Sequence, residues 1–338
     1  MWMLSGTVIE LTRFGDQLPQ SQTEAMQAGA AFRVRRPGGW ALLRELISSQ
    51  ITIGELRGAV RLVWRAVRFP ITTSRYMEAR DRIRMRAGVE TVPYRLARKF
   101  TQNFLHHSLP QAARINLLKT HYERLLAVMD SRFVGRILRQ EVVVLAEIKA
   151  RSTASYRLCL ARNDQHFREG ELIVSLVRKD DERQVASLSI VVGALYSGDP
   201  PDLWIGGLQG CKGVDSTAVT IQVTRDLWGL RPKDLLIHAG YALADIFGAA
   251  NLKAISNAGH ARHSLKREKN VYTDYDAYWR ELGGAPIAGG FFLLPKARHR
   301  RSVEDVRPAK RSAWRARCAL VDEIGADIRR LAVRRNVG

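Results

Sequence analysis

The sequence predicts an α+β protein in which a basic helical region comes first, a mainly antiparallel sheet follows, and a basic helix ends the chain. Three observations support this class. Apolar residues recur every three or four positions from 39 to 139, as they do in helices. The segment 141–192 is rich in partly alternating β-branched residues, which is typical of strands. Beyond 228 the pattern changes to helix, strand, helix and strand.

The N-terminal part of the chain divides into two predicted segments. Residues 1–30 have no regular pattern and are expected to be weakly structured. Residues 31–139 are expected to form the basic helical region, in which Pro70, Pro93 and Pro110 separate successive helices.

One predicted helix in this region carries a basic stripe. Its members recur at spacings of four, four and three residues, and they are Arg57, Arg61, Arg65 and Arg68. Such spacing brings all four side chains to one side of a helix. This side either binds phosphate groups or is the solvated face of an amphipathic helix.

The central domain is expected to span 140–295 and to begin with an antiparallel meander. The predicted strands of the meander are 141–148, 156–161, 171–177, 184–192 and 203–208. A helix over 234–247 follows, with Pro232 just before it and Gly248 at its end. The remaining predicted elements are a strand over 252–256, a helix over 274–282, a strand over 291–294, and a basic tail over 296–338 that is helical from about Val303.

The net charge of +21 is unevenly distributed. Residues 30–136 hold 21 basic against 7 acidic residues, and 296–338 hold 13 against 5, whereas the centre is nearly neutral. Basic flanks attract polyanions, so we expect an acidic macromolecular partner, with tRNA favoured and acyl carrier protein next. Peripheral contact with a membrane is a further expectation. Lys310 and Arg311 join the arginine stripe as candidate polyanion-binding residues.

The cysteine count and the apolar runs exclude several classes of protein. Three widely separated cysteines give neither a disulfide framework nor a metal-ligand spacing, so no metal site is predicted. The N-terminus lacks the pattern of a signal peptide, and no apolar run is long enough to cross a bilayer. We therefore expect a cytoplasmic protein without a transmembrane segment.

Several short motifs resemble those of the VirK/YbjX family of bacterial proteins. They are HYERL at 121–125, EGEL at 169–172, IGGLQG at 205–210, GLRPK at 229–233, YD at 275–276 and KRS at 310–312. The resemblance covers roughly 115–331. It implies links to virulence, to cell-envelope properties and to resistance against antimicrobial peptides, and it implies no particular reaction.

The order of elements from 141 to 295 also resembles the GNAT acyltransferase fold. In that fold a meander leads to a splayed strand, and a glycine-bearing turn opens a helix that receives the pyrophosphate of acyl-CoA. The resemblance implies a donor-binding turn at Gly229, Arg231 and Lys233. It also implies that Asn257 corresponds to the asparagine that follows the splayed strand.

The chain departs from the GNAT pattern in two places. Pro232 and Lys233 stand where a second glycine is usual, and proline removes one N–H donor. Trp279 stands at the spacing of the general-acid tyrosine, so the neighbouring Tyr278 becomes the candidate acid. No cofactor is therefore predicted with certainty, and aminoacyl-tRNA, acyl carrier protein and acyl-CoA are the candidate donors.

Two glutamates and a histidine are further candidates for proton transfer. Glu169 and Glu171 flank Gly170, and at alternate positions of a strand they would point to the same side, where each raises the pKa of the other. The alternative is a hairpin turn with solvated charges. His260 is either a proton shuttle or a capping or surface histidine.

A glycine cluster is the candidate donor pocket. Gly206, Gly207 and Gly210, with Gln209 among them, would let the backbone approach a ligand and offer amides to an oxyanion. A bulged edge strand explains the same glycines equally well.

Two functions follow from these patterns. The first, which we favour, is a GNAT-like transferase that moves an acyl or aminoacyl group from an anionic carrier to an amine. The alternative is a non-enzymatic VirK-like factor that binds nucleic acid or the inner membrane surface and affects the cell envelope or virulence.

Overall fold

Eight strands form one sheet in the order β1-β2-β3-β4-β5-β6-β8-β7 in the computed structural model of the chain. The strands are β1 Val143–Lys149, β2 Ser155–Arg162, β3 Leu172–Arg178, β4 Arg183–Gly193, β5 Asp202–Gln209, β6 Leu252–Ile255, β7 Ala285–Ile287 and β8 Phe291–Leu293.

The structure describes four ranges of the chain and a few single positions. The ranges are 70–90, 102–261, 274–297 and 302–333, and the single positions are Lys99, Arg300, Val60, Val63, Trp64, Val67 and Arg68. All of them belong to the unit Gly38–Gly338. The predicted weakly structured segment 1–30 lies outside the described residues.

Seven helices accompany the sheet in the described ranges. They are α1 Pro70–Arg86, α2 Gln111–Val128, α3 Ser131–Leu138, α4 Ser216–Asp226, α5 Pro232–Ile246, α6 Tyr275–Glu281 and α7 Arg311–Val333. A short 3₁₀ helix, Pro308–Lys310, precedes α7.

The strands β1 to β5 form an antiparallel meander, and β5 and β6 are the parallel pair of the sheet. A parallel pair needs a crossover connection, which α4 and α5 supply. The register of this pair ends at Ile205 and Ala254, although β5 continues to Gln209. The last residues of β5 are therefore not laddered to β6.

Helices cover the sheet on both faces. Gly193 of β4 lies against Thr120 of α2, whereas Leu188 of the same strand contacts Gly240 of α5. Because successive side chains of a strand alternate in direction, α2 and α5 lie on opposite faces. The helix α7 packs on α5 and on β1, and α1 packs on α2.

Local sequence explains where α5 begins and ends. Pro232 occupies the first turn, where its missing N–H costs nothing, and Asp234 suits the positive end of the helix. At the other end Gly248 has a φ of +56°, and the N–H of Ala249 donates to the carbonyl of Ala244 at 2.9 Å. This glycine closure is a common helix C-terminus.

The predicted α+β class is confirmed, and the predicted strands of the meander match β1 to β5 within a few residues at each end. Two elements, α4 and β7, have no counterpart among the predicted ones. The predicted start of the C-terminal helix at Val303 is too early, because Pro308 constrains Arg307 to an extended conformation and α7 begins at Arg311.

The glycines of β5 accommodate close packing at the centre of the sheet, because β5 lies between β4 and β6 and is not an edge strand. The register with β4 shifts at Gly206, which forms a bulge. A Cβ at Gly206 would overlap the carbonyl of Glu169, and a Cβ at Gly207 would overlap the carboxylate of Glu169. The segment that carries Glu169 therefore lies directly on these glycines.

Replacing Gly206 by alanine tests this close packing. We expect Gly206→Ala to lower the free energy of unfolding by about 1–3 kcal/mol, because the new methyl group must displace the backbone of Glu169. The matched control is Gly210→Ala, whose Cβ would meet Lys233 at an ordinary 3.5 Å and should change stability by less than about 0.5 kcal/mol. Urea unfolding measures the free energy of unfolding of both variants. Equal losses of stability would contradict the packing described.

Candidate functional site

The connection between β2 and β3, residues 163–171, carries two buried carboxylates. We call this connection the acidic loop. The backbone N–H of Asn163 donates to the carbonyl of Glu171 at 2.8 Å, and the N–H of Glu171 donates to the carbonyl of Ile190 at 2.9 Å. The side chains of Glu169 and Glu171 are 1% and 0% exposed. Buried carboxylates need partners, and the two residues have different ones.

Glu169 lies between two histidines and a serine. Its Oε1 is 3.6 Å from Nε2 of His260 and 3.7 Å from Nδ1 of His166, and Oγ of Ser189 donates to its Oε2 at 3.3 Å. All four side chains are buried. We call this group the Glu169 cluster. It can accept and hold a proton, because a carboxylate beside an imidazole stabilises the imidazolium form.

Tyr275, the first residue of α6, joins the Glu169 cluster to the end of β5. Its ring stacks on His260, with a centroid separation of 5.6 Å. Its hydroxyl accepts hydrogen bonds from the N–H of Leu208 at 3.3 Å and from Nε2 of Gln209 at 3.2 Å. This is the part of β5 that has no ladder to β6. The hydroxyl of Tyr275 therefore accepts the hydrogen bond of a backbone N–H that lies beyond the pairing of β5 with β6.

The edge of this site is more open than its centre. Gln209 and Gly210 at the end of β5 are partly exposed, and so is Lys233, whose side chain runs beside Gly210. Burial, and second the charge of Arg231, lower the pKa of Lys233 below its usual value. Three of the predicted donor-binding residues thus lie together at the edge.

Asn257 fixes the start of α6 beside the end of β6. Its side-chain oxygen accepts from the N–H of Tyr275 at 2.9 Å, and its Nδ2 donates to Asp274 at 2.8 Å. The carboxylate of Asp276 accepts from the N–H of Asn257 at 2.7 Å. Asn257, a predicted donor-binding residue, positions Tyr275 in this structure.

Two further predicted donor-binding residues, Gly229 and Arg231, lie at the turn before α5 and have partners within the chain. Arg231 donates to Asp234 at 2.8 Å and to Glu281 at 2.6 Å. Gly229 has a φ of +83° and closes α4, since its N–H donates to the carbonyl of Thr224 at 2.7 Å. These contacts account for both residues without a ligand, and their role in donor binding stays a prediction.

Tyr278, the predicted general acid, lies on another side of α6. Its hydroxyl donates to Asp234 at 2.7 Å. The neighbouring Trp279 is fully buried, and its Nε1 donates to the carbonyl of Ile255 at 2.8 Å. Trp279 therefore packs in the core. The hydroxyl that meets β5 is that of Tyr275.

Glu171, the second predicted catalytic carboxylate, forms a buried ion pair with Lys99. The hydroxyl of Tyr122 on α2 donates to its Oε2 at 2.6 Å, and Nζ of Lys99 also donates to the carbonyl of Gly170 at 3.0 Å. Burial is the largest influence on two of these groups: it lowers the pKa of Lys99 and raises the pKa of Tyr122. Glu171 thereby ties the acidic loop to α2 and to Lys99.

His121, next to Tyr122 on α2, is a buried neutral histidine. Its Nδ1 lies 3.2 Å from both the backbone nitrogen and the backbone oxygen of Val192 on β4. Burial, and second the charge of Lys99, lower the pKa of His121 to about 3. The ring therefore contributes to the packing of α2 on the sheet only while it is uncharged.

The predicted polyanion-binding residues are outside this site. Arg57, Arg61 and Arg65 lie outside the described residues, and Arg68 is exposed. Lys310 is exposed at the start of the C-terminal helical segment, and Nε of Arg311 donates to the carbonyl of Val306 at 3.0 Å. Their binding role stays a prediction.

Several residues of the site were absent from the predicted set. Tyr275 had a signal, since it belongs to the YD motif, and Tyr122 belongs to the HYERL motif. His166 stands three residues before Glu169 and was not distinguished from a surface histidine. Nothing in its own sequence neighbourhood marks Lys99, whose partner lies 72 positions further along the chain.

The family model described as "Protein of unknown function (DUF535)" matches residues 52–330. The chain therefore belongs to this family, and the predicted VirK/YbjX resemblance is confirmed. The chain is similar to "Uncharacterized protein YbjX" of Escherichia coli (strain K12), at 25% identity over 233 residues, which are 68% of this chain and 70% of that protein.

A second relative is an "Uncharacterized protein" of Haemophilus influenzae, at 26% identity over 203 residues, which are 60% of this chain and 66% of that protein. A further Haemophilus influenzae protein is 30% identical over 122 residues, which are 36% of this chain and 41% of that protein. No solved structure significantly matches the chain.

Two negative findings concern the described residues. None of the helices described there combines the length and the apolar character that a bilayer crossing requires. Within the same ranges, histidine, cysteine, aspartate and glutamate side chains nowhere form a group of three or more that could hold a metal ion.

Removing the charge of Glu171 tests the buried ion pair. We expect Glu171→Gln to lower the free energy of unfolding by about 3–5 kcal/mol, because Lys99 would remain buried without its counter-charge. Glu147→Gln is the matched control, since Glu147 pairs with Lys179 at 3.0 Å on the surface and should cost less than about 1 kcal/mol. Chemical unfolding monitored by circular dichroism measures both losses, and equal values would refute the importance of the pair.

The low pKa of His121 predicts a pH dependence of stability. In the unfolded chain the imidazole gains a proton near pH 6.5, whereas in the folded protein it stays neutral down to about pH 3. Between these two pH values the unfolded state therefore binds more protons than the folded state. The free energy of unfolding consequently decreases as the pH falls. We expect wild type to lose up to about 1.4 kcal/mol per pH unit more than His121→Asn between pH 6 and 5. Parallel stability curves for the two proteins would contradict this.

Proposed function

We propose that the protein is a GNAT-like transferase that moves an acyl or aminoacyl group from an anionic carrier to an amine. The reaction centre would be the end of β5, where the N–H of Leu208 meets the hydroxyl of Tyr275. This hydrogen bond is the observation on which the proposal rests. It combines a backbone amide that no strand partner uses with an acid group at the same point.

The strand order supports the GNAT resemblance. An antiparallel meander leads into one parallel pair, and the two strands of that pair part after Ile205 and Ala254. The helices α4 and α5 form the crossover between them. The helix α6 follows β6 and brings a tyrosine to the gap. The order of meander, crossover, β6 and α6 is the order on which the GNAT resemblance was based, whereas the tyrosine that the resemblance suggested as the acid was Tyr278.

The side chains at the gap suit acyl transfer to an amine. As the amine attacks the donor carbonyl, it loses a proton, which His260 takes while the Glu169 carboxylate 3.6 Å away stabilises the imidazolium. The N–H of Leu208 then donates to the oxyanion of the tetrahedral intermediate. Tyr275 gives its proton to the leaving oxygen or sulfur of the carrier. The proton that His260 took from the amine then returns to the Tyr275 oxygen, so that both side chains regain their starting protonation states.

The open edge of the site suits an anionic donor. Lys233 and the start of α5 lie beside Gly210, where a phosphate group would meet a positive side chain and a helix N-terminus. The basic flanks of the sequence add far more positive charge than one coenzyme requires. Aminoacyl-tRNA is therefore the favoured carrier, followed by acyl carrier protein and acyl-CoA.

A specific observation favours the alternative, a non-enzymatic VirK-like factor that binds nucleic acid or the inner membrane surface. The carboxylate of Glu169 fills the space over Gly207, so these glycines are explained by packing alone. Under this alternative the Glu169 cluster is a buried polar core that holds the acidic loop, and the basic residues alone carry the function.

Two tyrosine variants on α6 test whether the protein is a transferase or a non-enzymatic binding factor. Purified protein would be incubated with ¹⁴C-labelled aminoacyl-tRNA, acyl carrier protein or acyl-CoA and the small molecules of a cell extract, and label transferred to amines would be counted. We expect Tyr275→Phe to slow transfer by about 10²-fold or more, because the general acid is lost. Tyr278→Phe is the matched control and should stay within a few-fold of wild type, since its hydroxyl binds Asp234 instead.

Equal effects of the two variants would sink the assignment of Tyr275. An absence of transfer from all three donors, together with tight binding of tRNA or membrane by the wild-type protein, would favour the non-enzymatic factor.

A further inference from the structure

Exposed apolar side chains are concentrated in one short stretch of the chain. Of the eleven large apolar side chains exposed in the described part, five lie between 60 and 85. Val60, Trp64 and Val67 are 62%, 61% and 77% exposed. Ile71 at the start of α1 is 69% exposed. Such a concentration marks an interaction surface, whereas single exposed apolar residues do not.

The spacing of these residues is that of one helical face. Val60, Trp64 and Val67 are helical, and they stand at positions i, i+4 and i+7. Their periodicity predicts a side buried in the core, yet the structure exposes it. In contrast, α1 buries Tyr76, with Met77 and Ile83, against the rest of the protein. Within the part of the chain that the structure describes, α1 is therefore anchored to the protein, whereas the apolar side chains that precede it are exposed.

Arginines border this face. Between 60 and 86 the sequence has eight arginines and two acidic residues. Of these arginines, Arg68, Arg75, Arg82 and Arg86 are described and exposed, and the first two stand nearest the apolar residues in the sequence. We name the group of Val60, Trp64, Val67, Arg68, Ile71 and Arg75 the Trp64 surface. It joins apolar side chains, one interfacial aromatic residue and guanidinium groups.

We propose that the Trp64 surface docks on the headgroup region of an anionic phospholipid bilayer. Aliphatic side chains and a tryptophan enter the boundary between headgroups and acyl chains, and arginines bind the lipid phosphates. This match of apolar side chains and arginines to acyl chains and phosphates favours a lipid surface over the other possible partners. A nucleic acid would use the arginines but leave Val60, Val67 and Ile71 in water, and a second copy of the chain would oppose arginine to arginine.

This inference does not depend on the proposed transfer reaction, because its measurement is binding to vesicles. Full-length protein would be sedimented with vesicles of phosphatidylcholine alone or of equal parts phosphatidylcholine and phosphatidylglycerol. We expect binding to the anionic vesicles at least about tenfold stronger than to the neutral ones, since each arginine near the anionic surface adds to the affinity.

Val67→Glu is the decisive variant and should weaken binding to anionic vesicles by about tenfold or more, because a carboxylate would enter the interface. Val214→Glu is the matched control, since Val214 is also exposed but lies in the turn before α4, and it should bind like wild type. Arg68→Gln should weaken binding about fivefold. All three changes are at exposed positions, and thermal unfolding would check that each variant is folded.

A parallel titration with tRNA distinguishes binding of nucleic acid from binding of a lipid surface. The proposal expects Val67→Glu to bind tRNA as wild type does while it loses the vesicles. Three results would overturn it: no preference for anionic vesicles, equal binding by Val67→Glu and Val214→Glu, or binding of tRNA by a protein that binds no vesicle.

Discussion

The burial of two carboxylates within three residues is the constraint on which the rest of this structure depends. Glu169 and Glu171 are both buried, and each charge requires compensation within the protein. Glu171 obtains it from Lys99 and Tyr122, which ties the acidic loop to the helical region. Glu169 obtains it from Ser189 and two histidines, which ties the loop to the sheet and to the end of β6.

This constraint explains why the family motifs occur together. The HYERL motif supplies His121 and Tyr122, and the EGEL motif supplies the two carboxylates. The IGGLQG motif supplies the glycines on which Glu169 lies. The YD motif adds Tyr275, whose hydroxyl meets the last of these segments. The motifs are far apart in the sequence but form one packed unit, so a substitution in one of them changes the space available to the others.

Local sequence patterns predicted most of the fold. Contacts between residues far apart in the sequence could not be predicted from such patterns. Alternating β-branched residues predicted the meander, and Pro232 and Gly248 predicted α5, because these signals act within a few residues. The helix α4, Ser216–Asp226, was missed since its threonines and valines favour strands as much as helices. Of the side chains that meet at the candidate site, the sequence suggested Glu169 and His260, and it suggested Tyr278 and not Tyr275. Only the direction in which α6 leaves Asn257 determines which hydroxyl meets β5, and the sequence does not show that direction.

The central functional claim is that an acyl donor replaces Tyr275 as the partner of the Leu208 amide. The ¹⁵N–¹H resonance of Leu208, recorded while each candidate donor is added to labelled protein, tests this most directly. The proposal predicts that the donor which supports transfer shifts this resonance, and that the amide of Asn257 behind it moves less. A donor that transfers its acyl group while the Leu208 resonance stays in place would contradict it.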